Sequence, residues 1–512
     1  MATDQAMHDI ATAEAALLDP AVAHMVEVVL RRSPEADDTY EAASVEGRVR
    51  FRRRNEGTGW AFDVTAVEGV NPLADQATDR FTGLPDELAN RYPTRRQNSY
   101  PHAFDQVAQL FDSPEAPELV SIHTSAHNWE DQGGERGEHG SISVIQARAP
   151  FILAGKGVRQ QGLVPRSCRL VDIAPTVLAL MGAEPGEGTA CNGTTRPDAY
   201  LRRQDGEVID DLFATDVAVD RPKHVVGFLL DGANANVLYD MAARGEAPNV
   251  ARLLDMGVGF AHGAMSSLPT ITLANHTSIL TGTYPGHHGI LNNAWWDRAN
   301  QEQVITNSPA HWLTAMERLD PGVETMYQAV KRHRPGAVAV SINEPCDTGA
   351  DHSIFDLMRR GEPLDMPPPV EELPHVTERF VRPVKEYQWS TMVDHVATEQ
   401  AMAIWGGRYR DTDWPAPDFM WVNFSLTDAA FHAGGPYSEV AAASVHDTDA
   451  RLGEVLRAVE EAGVFDDTAF FVTADHGMED SNPECTGNWA DALDASGVTY
   501  RDEGYSFIYV NP

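Results

Sequence analysis

KHVVGFLLDGAN, residues 223–234, holds six apolar or small residues in a row, closed by an acid, a glycine, an alanine and an asparagine. A run this short and apolar, ended by turn residues, reads as a strand buried on both faces that stops at Asp231. The stretch after it, VLYDMAARGEAPNVARLLDMG (237–257), carries helical spacing. DFMWVNFSLTDAAFH (418–432) and TAFFVTADHGMED (468–480) repeat the form, with a site-type acid arriving as each strand ends. Buried strands alternating with helical stretches predict an α/β fold, a mostly parallel sheet sandwiched by helices.

Working outward, residues 223–512 read as the main catalytic portion, interrupted by a cap insertion over about 295–415 that is rich in Trp and Pro (AWWDRANQ, 294–301; GEPLDMPPPVEELPH, 361–375). Upstream, residues 195–222 read as a polar connector. Within 1–194, ATAEAALLDPAVAHMVEVVL (11–30) and VDIAPTVLALMGAE (171–184) read as helices. VRFRRRN (49–55) and GWAFDVTAVEG (59–69) suggest a small antiparallel excursion, and PELVSIHTSAHNW (117–129) and APFILAGKGV (149–158) return to buried-strand character. There are no internal repeats.

The 512 residues carry a net charge of −37, with lysine only at 156, 223, 331 and 385. Such a surface repels nucleic acid and anionic membranes, so neither is expected as a partner. Any phosphate-binding role then needs local positive charge, most readily from metal ions. No window approaches the roughly 18 uninterrupted apolar residues of a membrane span. The acidic N-terminus lacks the features of a secretion signal, which makes a cytoplasmic location the expectation. Four separated cysteines suggest neither a zinc ribbon nor a dense disulfide framework.

In open α/β sheets functional groups gather at the carboxyl ends of strands, so Asp231, Asp428 and Asp475 are expected to converge. Three carboxylates in one place raise one another's pKa unless cations sit among them. His432, four residues after Asp428, and His476, beside Asp475, add imidazoles, and such mixed donors favour zinc or another transition metal. LPTITLANHTSILTG (268–282) then sets Thr272 and Asn275 where a loop turns into a helix. Thr272 is either a plain helix cap or a nucleophile whose alkoxide is favoured by a metal and by the helix N-terminus. In the second reading, which the carboxylates favour, Asn275 donates its amide to charge on a transferring group.

FLLDGAN, LPTITLANHTSILTGTYPGHHGI, LTDAAFHAGGP and TADHGMED together resemble the alkaline phosphatase superfamily, and within it the nucleotide pyrophosphatase/phosphodiesterase branch. The resemblance implies an alkaline-phosphatase-like fold and two divalent metal ions, zinc, with a small phosphate ester as the partner. Asp231, Thr272, Asp475 and His476 would hold one ion; Asp428 and His432 would hold the other, together with one more histidine. Thr272 would attack phosphorus, and a phospho-threonine would form and be hydrolysed. A phosphodiester or nucleotide pyrophosphate is the first substrate class, and a phosphate monoester or phosphonate the alternative. No lysine lies in these motifs, which favours diesters, although Arg298 of the cap offers a cation. A non-catalytic binding protein on the same fold is the remaining alternative.

The resemblance departs in one place. The family's last histidine lies in an HG turn near the C-terminus, and GYSFIYVNP (504–512) has none. GGERGEHGSISVIQARAPFILAGKGV (133–158), followed by RLVDIAPTVLALMGAEP (169–185), is similar to that closing segment and puts His139 in the ligand turn. Residues 1–194 therefore resemble the family's C-terminal third placed first. The expectation is a circularly permuted fold. The competing arrangement is two incomplete units that complete each other between chains. His123 and His127 are the reserve ligands; His276, His287 and His288 read as loop or packing residues. Trp295 and Trp296 either stack on a base or pack the cap.

Overall fold

The computed structural model describes residues 4–34, 36–129, 135–215, 217, 220–364, 369, 372–373 and 385–512. Most of its strands, named in chain order, are β1 (Val26–Arg32), β2 (Thr39–Ser44), β3 (Gly47–Glu56), β4 (Gly59–Gly69), β5 (Leu119–His123), β6 (Phe151–Gly155) and β7 (Gly162–Val164). There follow β8 (His224–Leu230), β9 (Gly257–Phe260), β10 (Ala339–Ile342), β11 (Phe419–Phe424), β12 (Thr468–Thr473), β13 (Tyr500–Glu503) and β14 (Phe507–Val510). Four helices bear on the site: α1 (Thr272–Thr281), α2 (Ile354–Arg359), α3 (Lys385–Trp405) and α4 (Leu426–Gly434).

The central sheet runs β10-β11-β8-β12-β6-β9-β7. Strands β10, β11, β8 and β12 pair in parallel, while β6 lies antiparallel between β12 and β9. The β-branched and aromatic runs of β8, β11 and β12 are buried almost throughout, as strands covered on both faces require. Val225 faces Phe419 and Leu230 faces Phe424, so these two strands end level and deliver their following acids to one edge. Gly227 leaves room for a neighbour, since a Cβ there would lie 2.3 Å from the ring of Phe471. Strands β6 and β7 come from residues 1–194, so one chain fills the sheet from both segments.

The second sheet, β13-β14-β5-β1-β2-β3-β4, is antiparallel throughout and joins residues near both ends of the chain. It is larger than the small excursion the sequence suggested. The helix expected over 11–30 is instead the helix Asp4–Leu17, a short 3-10 turn opened by Pro20, and strand β1. Proline at 20 cannot continue the helix, and the valines after it pair as a strand.

The helix read across 237–257 is two helices, Ala235–Ala243 and Pro248–Asp255. Gly245, at φ +75°, and Pro248, at the first turn of the second helix, separate them. The connector 195–222 carries strands Thr195–Ala199 and Arg203–Gln204, which pair with Gly186–Ala190. The span 295–415 contributes β10 to the central sheet and the 21-residue helix α3 as well as cap structure. Most of the Pro-rich run 361–375 lies outside the described residues. Among those described, no helix is long and apolar enough to cross a membrane, and the four cysteines are unpaired.

Candidate metal centre and nucleophile

Strand β8 ends at Asp231, and the turn beyond it needs glycine. Gly232 sits at φ +63°, and a Cβ there would lie 2.6 Å from Asp428 Oδ1. This close approach lets the two carboxylates share one edge. The Gly232 N–H donates to Asp475 Oδ1 at 3.0 Å, and Thr427 Oγ1 donates to the Asp231 carbonyl at 2.6 Å. The N-terminus of α4 is capped from outside: Asp394 of α3 accepts from the N–H groups of Ser425 at 2.8 Å and Leu426 at 3.1 Å. One turn along α4, His432 Nε2 comes 3.4 Å from Asp428 Oδ1, the result of i,i+4 spacing. His432 Nδ1 lies 2.8 Å from the Gly137 carbonyl and 3.0 Å from Glu135 Oε2, the type of outer contact that fixes a ligating ring.

His139 reaches the same place from the N-terminal third. The Gly140 N–H donates to Thr270 Oγ1 at 2.9 Å, and Thr270 Oγ1 donates to the Ser141 carbonyl at 2.7 Å. These bonds pin the 139–141 turn to the loop before α1. His139 Nε2 lies 3.1 Å from His432 Nε2, and its ring stacks on His476 with centroids 3.7 Å apart. The reserve candidates stand elsewhere: His123 faces the carbonyls of Thr124 and His139, and His127 that of Gly487.

Two donor groups result, His139/Asp428/His432 and Asp231/Asp475/His476, the donor atoms of each lying within 4.8 Å of one another. Glu135 and Glu138 form a further group with His432. Asp231 Oδ1, Asp428 Oδ1, Asp475 Oδ2 and His476 Nε2 are buried without hydrogen bonds, and the contacts of the last three are ion pairs, Asp475 Oδ2 with His476 Nε2 at 3.1 Å and Asp428 Oδ1 with His432 at 3.4 Å. Orphaned polar atoms are costly in a protein interior, and cations among them would satisfy all four. The residues therefore fit a two-ion site.

The electrostatics point the same way. Burial, then the charges of Asp475 and Asp428, push Asp231 up to about 8. Burial also raises Asp428. For Asp475 burial is outweighed by His476 and His276, which hold it well below the usual carboxylate range. His432 rises to about 10, since Asp428 and Glu135 overcome the effect of burial. His139 is depressed, first by burial and then by the neighbouring His476 and His432. Without cations this cluster must hold shared protons, and divalent ions would displace them.

Thr272 is the first residue of α1; Ile271 takes the cap position and no side chain caps the helix. The plain-cap reading does not hold. The rest of α1 is buried, whereas Thr272 is half-buried and lines the cleft shared with Asp231, His139 and Asp428. Asn275, expected from the sequence to donate to a transferring group, lies against the loop before Thr272. Its Nδ2 donates to the carbonyls of Ser267, Pro269 and Ile271, and its Oδ1 accepts from the Ser267 N–H at 2.7 Å. Through these bonds Asn275 holds the loop before Thr272.

His276 was expected to be a loop or packing residue, but it faces the metal donors. Its Nε2 lies 3.7 Å from Asp231 Oδ2 and 3.5 Å from Asp475 Oδ2, and its Nδ1 is 2.8 Å from the buried Glu344 Oε2. The same Glu344 oxygen accepts from Trp421 Nε1. Only the side of α1 that turns inward reveals this role, and no local spacing marks it. His287 lies between Asp205 and Asp112, and His288 beside Ser278 and the Ala274 carbonyl, both away from the donors. Trp295 and Trp296 are buried in the core of the second sheet. Arg298 is engaged with Glu118 and the Ala116 carbonyl and does not line the cleft.

A chain with this sheet, these strand-end donors and this threonine has the makings of a two-metal phosphoester site. The sequence model for type I phosphodiesterase / nucleotide pyrophosphatase matches residues 225–512, more than half the chain, and the protein belongs to that family. Alkaline phosphatase PafA of Elizabethkingia meningoseptica is 33% identical over 118 residues, 23% of this chain and 20% of that protein. Mouse ectonucleotide pyrophosphatase/phosphodiesterase family member 3 is 23% identical over 269 residues, 50% of this chain and 25% of that protein. The chain thus spans about a fifth to a quarter of the length of these curated relatives. Among solved structures, phosphonoacetate hydrolase from Sinorhizobium meliloti 1021 aligns with a TM-score of 0.32 at 20% identity, covering 50% of this chain and 57% of that one.

Proposed function

We propose that the protein is a two-zinc phosphodiesterase or nucleotide pyrophosphatase that works through a phospho-threonine intermediate. The observation that carries this reading is the meeting in one cleft of Thr272 with Asp231 of one donor group and His139, Asp428 and His432 of the other. Asp231, Asp475 and His476, with Thr272, would hold one ion, and Asp428, His432 and His139 the other. Zinc so held supplies positive charge that favours an alkoxide and acidifies water. Thr272 Oγ1 attacks phosphorus from the head of α1, whose first-turn N–H groups present the positive end of the helix to the phosphate. The new Oγ1–P bond forms as the bond to the leaving oxygen breaks. Water then displaces the threonine and returns its hydroxyl. His276 and Glu344 hold the Asp231–Asp475 pair in place.

No lysine or arginine lines the cleft among the described residues. This favours the monoanion of a diester over the dianion of a monoester, whose second charge would need a counter-ion. We also propose that the segment order is a circular permutation, supported by the antiparallel pairing of β6 with β12 inside one chain. The test is hydrolysis of bis(p-nitrophenyl) phosphate, p-nitrophenyl phosphate and a phosphonate ester by protein of measured metal content. Diester turnover is expected to exceed the others, and Thr272→Ala to lower it by on the order of 10³-fold or more. Equal rates for Thr272→Ala and wild type would sink the reading.

A further inference from the structure

Between β13 and β14 the chain turns back through Gly504, Tyr505 and Ser506, and Tyr505 lines the same cleft as Thr272, His139 and Asp428. The turn is tightly built. Gly504 sits at φ +55°, where a Cβ would lie 2.6 Å from the Ala294 carbonyl oxygen, and Ser506 takes φ +73° without being glycine. A serine in that region persists only where its surroundings hold it. The fully buried Asn292 does so: its Nδ2 donates to the Tyr505 carbonyl at 2.7 Å, and its Oδ1 accepts from the Tyr505 N–H at 3.2 Å. On the other side the Ser506 carbonyl accepts from the Ser121 N–H of β5 at 2.9 Å.

The Tyr505 ring lies against His139, with centroids 5.6 Å and planes 31° apart. Gly140 leaves the space for it, since a Cβ there would come 3.2 Å from the ring. Among the described residues the hydroxyl has no hydrogen-bond partner. Burial, then the charges of Glu138, Glu135 and Asp428, push its pKa well above the ordinary 10, so the oxygen keeps its proton. Those acids also set the hydroxyl on the side of the cleft where Asp428, His432 and His139 meet.

In phosphoryl transfer the attacking and leaving oxygens stand roughly in line on opposite sides of phosphorus. With Thr272 assigned to the Asp231 group, the leaving oxygen falls toward the other donor group, where Tyr505 stands. Negative charge grows on that oxygen as its bond to phosphorus breaks, and a fixed donor aimed at it stabilises the transition state more than the ground state.

Resting on the phosphodiesterase reading, we propose that Tyr505 is a catalytic residue whose hydroxyl donates a hydrogen bond to the leaving oxygen of the diester. The bond from Thr272 Oγ1 to phosphorus forms, the bond to the leaving oxygen breaks, and that oxygen departs with the electron pair. Tyr505 keeps its own proton, and the departing oxygen takes one from water.

The experiment uses the metal-loaded protein and a series of aryl methyl phosphodiesters in which only the leaving phenol changes, from 2,4-dinitrophenol through 4-nitrophenol to phenol. A donor to the leaving oxygen matters most where the leaving group is poorest. Tyr505→Phe, which keeps the ring on His139, is expected to lower kcat/KM by about a hundred-fold for the phenyl ester and by less than about three-fold for the dinitrophenyl ester, with the metal content unchanged by plasma mass spectrometry. Asn292→Ala, which loosens the turn but keeps the hydroxyl, is the second variant and is expected to show the same gradient, at about ten-fold for the phenyl ester. Vanadate, whose five-coordinate form carries an apical oxygen at the leaving position, is expected to bind Tyr505→Phe about ten-fold more weakly in calorimetry.

No loss, a loss that is the same for every leaving group, or a loss that follows departure of a metal ion makes Tyr505 a packing residue and overturns the inference, leaving the phosphodiesterase reading standing. Hydrolysis of none of the diesters by the wild type overturns that reading, and vanadate bound equally by wild type and Tyr505→Phe then overturns the hydrogen bond as well.

Discussion

The two seven-stranded sheets solve different problems. The central one is mostly parallel, buried on both faces, and ends along one edge in Asp231, Asp475 and the helix bearing Asp428 and His432. The outer one is antiparallel, with arginines alternating along β3 and valines left exposed on β4. It contributes no donor to either metal group. The contrast shows a division of labour. The central sheet aims chemistry, while the outer sheet ties the chain's early strands to its last and so supports the segment that carries His139.

The division fails if a donor can be lost from the centre without consequence. His139→Ala is expected to remove one metal ion per chain and lower kcat/KM by on the order of 10³-fold, with the circular dichroism spectrum retained. Two ions per chain in that variant, measured by plasma mass spectrometry, would break the comparison at its centre.

A smaller effect comes from Glu27 on β1, whose carboxyl burial raises to about 7 against the opposing pull of Arg95 and the Tyr100 hydroxyl. A folded-state pKa above the ordinary 4.5 means that the folded chain keeps a proton the unfolded chain releases. Stability from this group is whole below about pH 4.5 and is lost as pH rises through about 7. Glu27→Gln is therefore expected to gain on wild type across that window, by up to about 3 kcal/mol. Urea titrations at both ends of the window check it, and a constant difference would remove the outer sheet's pH dependence from this residue.

Ile508 on β14 is fully buried where the last strand meets Leu119. Ile508→Val should cost about 1 kcal/mol in urea while both metal ions stay bound. Metal loss at that mild cost would mean that the sheets are not separable. Val67, on the edge strand β4, is 48% exposed. Val67→Thr should move stability by less than about 0.5 kcal/mol, and a larger shift would show an undetected partner for that edge.

Strands β6, β8, β11 and β12 of the central sheet were legible because each is a short apolar run with its own turn residues. Asp428 and His432 were legible as a pair because i,i+4 spacing puts them on one helix face whatever surrounds them. The outer sheet was legible only in part: the antiparallel pair over 49–69 and the strand within 117–129 were read, but the valines before Arg31 follow a helix-like stretch and only Pro20 marks the change. Strand β10 was lost among the irregular residues around it. Asn275 and His276 are neighbours on α1 whose surroundings the sequence did not reveal. One turns toward the loop backbone and the other toward Asp231 and Asp475, and the direction is set by how the helix sits on the sheet.

By itself, the sequence determined which residue types stand at strand ends and helix heads, because those choices are local and answer to burial, turn geometry and hydrogen bonding within a few residues. The tertiary structure alone decided that His139 stands 3.1 Å from His432 across 293 residues of chain, and that Asn275 is spent on backbone while His276 faces the donors. Such meetings depend on the pairing of distant strands and the rotation of a buried helix, which no single stretch encodes.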